Sequence, residues 1–507
     1  MSAHPLLHKV DILIQIFESC WDRSPDNLDK RTLANSMICC RSWFLPAAKV
    51  LWRDMKSPIP LFRILPSFTM TNGVYVMNKL PSPQEWDRLK EYATLINSLD
   101  HRGLNYQVDP SVYLVLSQLA GMEPLLPSIR HLSWLYPVAG SLLFLSPSLR
   151  QVNLCTSIQI SRTATPTRDP SSLQGDQIVA LFLSRLASVA LGIEKLDIVG
   201  FMHHPVNHIA AFPTLRELSV DSMGGHRLFN LLPEIQSLRK LSMNVNDLGA
   251  ENTLIAGTLP SLESLILRGG ILKMGLVLQR LTLPCVETIK LSGHGTTTPS
   301  DLRLCLVKVP ALAKYFELTT TLAGPDQTSV NILHAIEPLL RLKHVREVTV
   351  HFMVGELQTR TLLRLSDADA ESMASSWPHL KRFSLRYNPP YVTPTFGFLT
   401  TLARLCPALE ALDLNFDATI LPSRADVPIL SHPLRDLYVP TNAKVTDPRQ
   451  TAYLLNRLFP ELDSLDLGID LGLDQRSRAK WLEVSIGLRD LYYAREDERV
   501  RMGWNML

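Results

Sequence analysis

Histidine and cysteine side chains are common metal ligands, and cysteine is also a strong nucleophile. The densest histidine group spans residues 203–208, where His204 and His208 have the i,i+4 spacing of zinc ligands on a helix. Pro205 lies between them, and no cysteine or carboxylate is close in sequence. We therefore interpret these histidines as loop residues and predict no metal site.

The other nucleophile and phosphate motifs show no catalytic signature. Cys39 and Cys40 lie in a helical pattern and are expected to be buried, and Cys406 is expected to be a buried small apolar group. The glycine-rich stretch 291–295 lacks the spacing and the lysine of a phosphate-binding loop. No Gly-x-Ser-x-Gly sequence occurs. The sequence therefore predicts a protein that is not an enzyme, with no catalytic residue and no cofactor.

The elements that must position any functional side chain come from a recurring pattern, Pro-x-Leu-x-x-Leu-x-Leu. It occurs, for example, over residues 260–267, 407–414 and 460–467. The first apolar position of each copy can be taken as an anchor, and the anchors are Ile129, Leu149, Ile193, Leu215, Leu238, Leu262, Val286, Leu312, Val345, Leu380, Leu409, Leu434 and Leu462. All except Leu312 are followed by apolar residues at +3 and +5.

The anchor spacing indicates a stacked repeat. Successive anchors are 20 to 35 residues apart, except for one gap of 44 that contains either a degenerate repeat or an insertion. Periods of roughly 20–29 residues are typical of leucine-rich repeats. Because side chains alternate along a strand, +3 and +5 should point inward and +2, +4 and +6 outward. Helical patterns fill the connections, for example over 176–191, 330–342, 398–406 and 450–459. The sequence thus predicts an irregular α/β leucine-rich-repeat solenoid with a concave parallel sheet and convex helices.

Some positions outside the strands also fit this repeat. Asn or Asp stands at +8 in five copies, where leucine-rich repeats use a polar residue to bond turn backbone groups: Asn246, Asn388, Asp417, Asn442 and Asp470. Residues 488–491 are interpreted as a final, atypical repeat, and the polar stretch 161–175 as a loop.

The first 56 residues differ from the repeats and predict a small helical module. Residues 10–20 have apolar side chains three or four apart, a turn signal follows at 24–27, and a second helical pattern covers 28–40. Pro46 suits the first turn of a third helix.

Three stretches of this module resemble an F-box. They are residues 11–17, residues 33–43 with the ending Cys-Arg-Ser-Trp, and residues 47–53. His8 and Lys9 stand where the family usually has Leu-Pro. The resemblance implies docking onto the adaptor of cullin–RING (SCF) ubiquitin ligases. By that resemblance the adaptor would contact Ile12, Leu13, Ile16, Phe17, Trp43, Leu51 and Trp52, for which a purely internal packing role is the alternative.

Taken together, these patterns divide the chain into an F-box-like three-helix module (1–56), a helical connecting region (57–125), a repeat solenoid (126–495) and a tail (496–507). The resemblance implies a substrate-receptor subunit of an SCF-type ligase, with the adaptor, the cullin and a protein target as partners. The alternative is a leucine-rich-repeat scaffold with no ubiquitin-ligase role.

The outward strand positions are where a protein target would bind. They are basic in the middle repeats and acidic at the end. We predict contacts from Lys240, Arg268, Lys290, His351, Arg382, Arg386 and Tyr438. Arginine suits bidentate contacts with carboxylate or phosphate, so an acidic or phosphorylated segment is the expected target. A solvated strand face with no partner is the alternative.

Bulk properties exclude several other classes. The net charge of +3 offers no concentrated basic face for nucleic acid. Seven cysteines without paired spacing do not form a disulfide framework, which favours a reducing compartment. Asp11 interrupts the first apolar stretch, so no signal peptide is expected. The stretch 178–193 is too short to span a bilayer. We expect a soluble, cytoplasmic or nuclear protein with no membrane partner.

Overall fold

The computed structural model describes residues 9–21, 28–101, 107–135, 139–155, 170–199, 206–221, 225–248, 254–322, 329–353, 362–387, 394–439, 443–462, 464–467 and 475–502. The chain divides into two compact units, Met1–Leu238 and Arg239–Leu507. Each unit contains short parallel strands separated by helices.

The first unit begins with three helices and continues with strands and helices. Its helices are α1 Val10–Trp21, α2 Leu28–Cys39, α3 Arg41–Arg53, α4 Ile59–Phe62, α5 Pro83–Ala93, α6 Pro110–Ala120, α7 Pro170–Val189 and α8 Gly225–Leu231, with 3-10 turns at Ala139–Phe144, Val206–Ala211 and Leu232–Glu234. Its strands are β1 Asp54–Met55, β2 Phe68–Thr71, β3 Val74–Met77, β4 Ser98–His101, β5 Gln107–Val108, β6 His131–Leu135, β7 Gln151–Cys155, β8 Lys195–Val199 and β9 Glu217–Asp221.

The strands of the first unit form a parallel sheet and a small accessory sheet. In the main sheet the order is β1-β4-β6-β7-β8-β9, and each neighbouring pair of strands is parallel. In the accessory sheet β2 pairs antiparallel with β3, which pairs parallel with β5. The hairpin between β2 and β3 turns at Asn72 and Gly73, whose φ angles of 51° and 81° lie in the left-handed region.

The second unit repeats the strand–helix alternation. Its strands are β10 Lys240–Asn244, β11 Gly257–Thr258, β12 Ser264–Gly269, β13 Leu281–Thr282, β14 Thr288–Thr297, β15 Tyr315–Leu322, β16 Ser329–Asn331, β17 Glu347–Phe352, β18 Leu362–Arg364, β19 Arg382–Arg386, β20 Ala411–Leu414, β21 Asp436–Val439 and β22 Ser464–Leu467. Its helices are α9 Ile271–Arg280, α10 Pro299–Leu306, α11 Ile332–Ile336, α12 Asp367–Ser376, α13 Phe396–Leu405, α14 Pro448–Leu458 and α15 Gln475–Arg501, with a 3-10 turn at Glu337–Arg341.

The main sheet of the second unit is also parallel, with the order β10-β12-β14-β15-β17-β19-β20-β21-β22. Two short parallel pairs, β11 with β13 and β16 with β18, lie outside it. The expected α/β repeat architecture is therefore present in both units.

Burial along the strands follows the predicted alternation. In β12, for example, Leu265 and Leu267 are buried while Ser264, Ile266 and Arg268 are half-buried. One face of each strand thus contributes to the core, and the other face is available for binding.

A backbone ladder fixes the start of each strand. The carbonyl of the +1 residue of one repeat accepts two N–H groups from the next, as when Glu263 and Ser264 donate to Arg239 at 2.8 and 3.0 Å. Several +1 side chains form cross-repeat ion pairs, including Arg239 with Glu263 at 3.5 Å and Lys381 with Glu410 at 2.8 Å. Glu287 and Lys314 pair in the same way.

The anchor predicted at Leu312 is wrong by one residue. Ala313 is fully buried and Leu312 is 54% exposed. Counted from Ala313, the +3 and +5 positions are Phe316 and Leu318, both buried, so this repeat follows the common pattern. A small residue occupies the anchor here, which hid it from a search for large apolar side chains.

No strand lies between β7 and β8 in the main sheet as described, since they pair directly from Gln151↔Lys195 to Cys155↔Val199 across the gap of 44 residues. It holds α7, which begins at Pro170, so the predicted loop over 161–175 is wrong from that residue on, while 161–169 lies outside the described residues.

The segment 57–125 is not the purely helical connection that we expected. It contains β2, β3 and β5 of the accessory sheet, and β4 belongs to the main sheet. The repeat architecture therefore begins before residue 126.

Three smaller expectations also fail. The supposed final repeat at 488–491 lies within α15, which continues to Arg501 and includes the start of the predicted tail. Pro46 lies inside α3, which already begins at Arg41. Cys39, the last residue of α2, and Cys40, which precedes α3, are exposed and not buried.

The buried His432 makes stability depend on pH. It receives the Leu434 N–H on Nδ1 at 3.2 Å and its Nε2 lies 2.9 Å from the Cys406 carbonyl, which defines a neutral ring. Burial lowers the pKa of His432, partly offset by the hydrogen bond to Cys406. The neutral folded form therefore contributes stability above the ordinary histidine pKa of about 6.5, and this contribution is lost as pH falls toward the folded pKa.

We expect thermal unfolding of the full chain at pH 5.5 and 7.5 to show this loss of stability at low pH. The wild type should lose stability at the lower pH, and His432→Gln should reduce the difference, while His379→Gln, at an exposed position, should keep it. An unchanged pH difference in His432→Gln would contradict the assignment.

Candidate protein-binding surfaces

Helices α1–α3, the N-terminal helical module, have a hydrophobic core of their own. Leu13, Phe17, Leu33, Ala47 and Val50 are buried in it. Leu13 is 1% exposed and Phe17 6% exposed. The prediction that these two contact an adaptor directly is therefore wrong, because their side chains face α2 and α3 and not solvent.

The other predicted adaptor residues lie at the margin of the core or outside it. Trp43 and Leu51 are partly buried against the core, and the Trp43 ring packs edge-on against Phe17 with 5.9 Å between centroids. Ile12 is half-buried and Ile16 is exposed. Trp52 is half-buried beside Tyr92, at 4.8 Å between ring centroids.

Large apolar side chains remain exposed on the module. Ile38 on α2 is 84% exposed and Phe44 on α3 is 43% exposed. Val10, Ile16 and Leu45 are exposed as well. Of these only Ile16 was predicted from the sequence. Exposed apolar side chains that adjoin one another are typical of protein-interaction sites.

The outward side chains of β10 to β21 form the second candidate surface, the open strand face of the second unit. All seven predicted target-binding residues lie on it, since each occupies an outward position of its strand. Lys240, Lys290, Arg382 and Arg386 are exposed, and the remaining three, Arg268, His351 and Tyr438, are half-buried.

Carboxylates of the same face neutralise much of its positive charge. Lys290 pairs with Glu317 at 2.6 Å and Arg382 approaches Glu347 at 3.8 Å. Arg268 donates to the Ser242 hydroxyl at 3.1 Å. An acidic target would have to compete with these internal partners, and exposed pairs of this kind contribute only about 0–1 kcal/mol.

The most organised group on this face surrounds Asp413, which is 9% exposed. Its Oδ2 accepts hydrogen bonds from the Ser384 hydroxyl at 2.7 Å and from Arg386 Nε at 2.6 Å. The Arg386 guanidinium lies 4.6 Å from the centre of the Tyr438 ring. An arginine held between a buried carboxylate and an aromatic ring is preorganised for a planar anionic or carbonyl partner.

The polar +8 residues bond turns as expected where the structure describes them. Asn246 Oδ1 accepts the Gly270 N–H at 2.9 Å, and Asp417 Oδ1 accepts the Thr419 N–H at 2.8 Å. The other three, Asn388, Asn442 and Asp470, lie outside the described residues.

Among the described residues, the metal and nucleophile candidates do not come together in one place. His204 lies outside the described residues and His208 is in the 3-10 turn at Val206–Ala211. Across the described ranges, no group of three or more His, Cys, Asp or Glu is arranged to hold a metal. Cys406 is buried as expected, and burial raises the pKa of its thiol to about 12. None of the helices in the described ranges is both long and apolar enough to cross a bilayer.

Comparisons with known proteins give no close relative. No protein-family model and no curated protein matches the chain. Similar solved structures include an internalin of Listeria monocytogenes (12% identity, TM-score 0.33, covering 75% of this chain and 89% of that one). A leucine-rich-repeat protein of Leptospira interrogans has 14% identity and a TM-score of 0.36, covering 85% and 92%. A chain from the yeast Rad7–Elc1 complex has 11% identity and a TM-score of 0.32, covering 77% and 82%.

These low identities and TM-scores support no inference about what the chain binds. The strand pairing, the inward anchors and the helical connections described above define the fold by themselves. The chain contains a leucine-rich-repeat region. Such repeats are a protein-interaction fold.

Proposed function

We propose that this protein is a substrate-receptor subunit of an SCF-type cullin–RING ubiquitin ligase. The N-terminal helical module would dock onto the adaptor, and the open strand face of the second unit would hold a protein target. The chain itself would perform no chemistry and would contribute proximity and orientation to the partner enzymes.

One observation carries the proposal. The module has its own core around Leu13 and Phe17, yet it leaves large apolar side chains such as Ile16, Ile38 and Phe44 exposed. A partner that covered these side chains would gain about 25 cal/mol for each square ångström of apolar surface removed from water. The resemblance of residues 11–17, 33–43 and 47–53 to an F-box names the adaptor as that partner.

The docking surface is revised from the one that the resemblance alone implied. Ile12, Ile16, Trp43, Leu51 and Trp52 stay proposed as adaptor contacts. Val10, Ile38, Phe44 and Leu45 join them because they are the exposed apolar residues of the same helices.

On the target side, Arg386 is the proposed central contact with the target protein. It is held by Asp413 and Tyr438 and still reaches the surface. The six other predicted contacts stay proposed around it, from Lys240 to Tyr438.

Affinity purification of the tagged full chain with mass spectrometry tests the ligase role. Wild type should recover the adaptor and the cullin. The double variant Ile38→Glu with Phe44→Glu should reduce their recovery at least about tenfold, because each added charge would have to be desolvated at the docking surface. Leu304→Glu, at an exposed apolar position of α10 in the second unit, is the matched control and should behave as wild type.

Circular dichroism of the purified variants verifies that both remain folded. Recovery of neither adaptor nor cullin by the wild type would contradict the ligase role. That result would favour the repeat scaffold without a ligase connection, for which the replacement of Leu-Pro by His8 and Lys9 is the specific observation.

A further inference from the structure

The last helix of the second unit, α15, is apolar on two opposite faces. On its inner face Trp481, Val484 and Leu488 are buried and lie three or four residues apart. The Trp481 indole N–H donates to the Ala443 carbonyl at 2.9 Å, and its ring packs edge-on against Phe416 with 5.5 Å between centroids. These contacts fix the rotation of α15 about its own axis, so the opposite face points away from the core.

The outer face of α15 carries a line of exposed apolar side chains. Leu482, Ile486, Tyr493 and Val500 are 49%, 50%, 59% and 70% exposed. The last three are seven residues apart, and the first precedes Ile486 by four. Apolar residues at this spacing stay on one side of a helix, and two helices that pack along each other use the same spacing. We call these four residues the outer stripe, which is about 27 Å long because a helix rises 1.5 Å per residue.

One edge of the outer stripe is acidic. Three exposed carboxylates follow this edge, again seven residues apart: Glu483, Asp490 and Asp497. Within the described part of the chain, none of the three forms an ion pair. The corresponding positions of the other edge hold no acidic residue and are Ser485, Tyr492 and Arg499. The two edges of the stripe therefore differ in charge.

Arg489 lies within the outer stripe and does not cancel this difference. It stands between Ile486 and Tyr493 and is exposed. Its single positive charge leaves the stripe and the acidic edge, taken together, net negative. The apolar stem of an arginine can lie along an apolar partner while its guanidinium stays hydrated. This face thus fits a partner that is apolar along one line and basic along one flank.

A second copy of α15 does not fit this face. In a parallel pair of helices equivalent positions meet, so the two copies of Arg489 would face each other inside the contact. In an antiparallel pair the acidic edge of one copy would lie along the acidic edge of the other. Both arrangements bring like charges together, which disfavours self-association through the outer stripe.

We propose that the outer stripe binds an amphipathic helix of a partner protein. The partner helix has apolar residues at seven-residue spacing, and lysine or arginine along the flank that faces Glu483, Asp490 and Asp497. Its apolar residues cover the stripe, and its basic flank pairs with the acidic edge, as flanking charges do when they select the partner in paired helices. This surface lies outside the open strand face of the second unit. It goes beyond the proposed ligase role and does not depend on adaptor docking.

Fluorescence anisotropy with the purified full chain tests this surface. The basic probe is a fluorescein-labelled peptide of three seven-residue repeats, with leucine at the two inward positions, lysine along one flank, glutamine along the other and alanine elsewhere. The acidic control peptide replaces each lysine by glutamate. A free peptide can bind in either direction, so the basic probe can always place its lysines along the acidic edge. We expect it to bind at least about tenfold more tightly than the acidic peptide.

Two variants of α15 test the two parts of the surface. Ile486→Gln should weaken binding of the basic probe at least about tenfold, because it interrupts the apolar line without adding charge. Leu272→Gln, at an equally exposed position of α9 (50%), is the matched control and should bind like wild type. Asp490→Lys should remove the preference for the basic probe, whereas Glu371→Lys, at an exposed position of α12, should keep it.

The proposal is overturned if the basic probe does not bind, if wild type binds both peptides equally, or if either α15 variant behaves as wild type. Sedimentation of the full chain without peptide tests the second copy. A dimer that Ile486→Gln abolishes would assign the outer stripe to self-association and overturn the partner helix. None of these results bears on recovery of the adaptor, so failure here is distinct from failure of the ligase role.

Discussion

Replacing Ala313 by aspartate is expected to destabilise the second unit by about 4 kcal/mol or more, whereas Leu312→Asp should change its stability by no more than about 0.5 kcal/mol. Ala313 is completely buried at the anchor position of its repeat, and Leu312 is 54% exposed. A carboxylate at Ala313 would be buried with no cation to pair with it. At Leu312 the same carboxylate would be hydrated.

Urea unfolding followed by circular dichroism compares the two variants with wild type. Hydrogen exchange at β14 and β15 locates the effect, because the backbone of Lys314 and Tyr315 donates to the Glu287 carbonyl directly after the anchor. If Leu312 were the anchor, Leu312→Asp would be the more destabilising of the two variants. That result would overturn the choice of Ala313 as the anchor.

Phe17→Ala is expected to destabilise the N-terminal helical module by about 3–5 kcal/mol, the usual cost of removing a buried aromatic ring. Phe17 is 6% exposed and packs edge-on against Trp43. The module has few core residues, so a loss of this size should melt α1–α3. Adaptor recovery should then be lost because the module is unfolded, and not because a contact has been removed.

Hydrogen exchange with mass spectrometry separates these causes. Phe17→Ala should lose protection over residues 10–53 and keep it over the strands of the second unit. Val10→Ala, on the exposed side of the same helix, should retain protection throughout. If Phe17→Ala kept its helices protected yet lost the adaptor, Phe17 would be a contact residue and its place in the core would be wrong.

The recurrence of apolar residues predicted most strands of the repeat, because the anchor, +3 and +5 positions point inward and need large apolar side chains in most strands. It missed β4, where Ile96 and Leu99 are buried but the second inward position is His101. It also missed the hairpin of β2 and β3, although Asn72-Gly73 is the dipeptide that favours a left-handed two-residue turn. That signal was available and pointed away from a purely helical connection.

The binding surfaces were harder to predict, since exposure depends on which neighbours pack against a helix. Periodicity alone does not show that Leu13 and Phe17 on α1 are buried while Ile38 on α2 is exposed. Charge pairing across strands depends on register. Lys290 and Glu317 both stand at +4 once Ala313 is the anchor, so the misplaced anchor at Leu312 concealed their ion pair.

The charged ladder at the strand starts has a consequence for how this array could gain or lose repeats during evolution. Deleting one repeat, residues 263–286, would bring Arg239 beside Glu287 and preserve the attraction that Arg239 now has with Glu263. Deleting two, residues 263–313, would set Arg239 beside Lys314, two like charges at one edge. Like charges already stand side by side at Lys314, Arg346 and Lys381, and exposed pairs contribute only about 0–1 kcal/mol. The ladder therefore gives a small preference for the one-repeat deletion, and shortened descendants of either length could still fold.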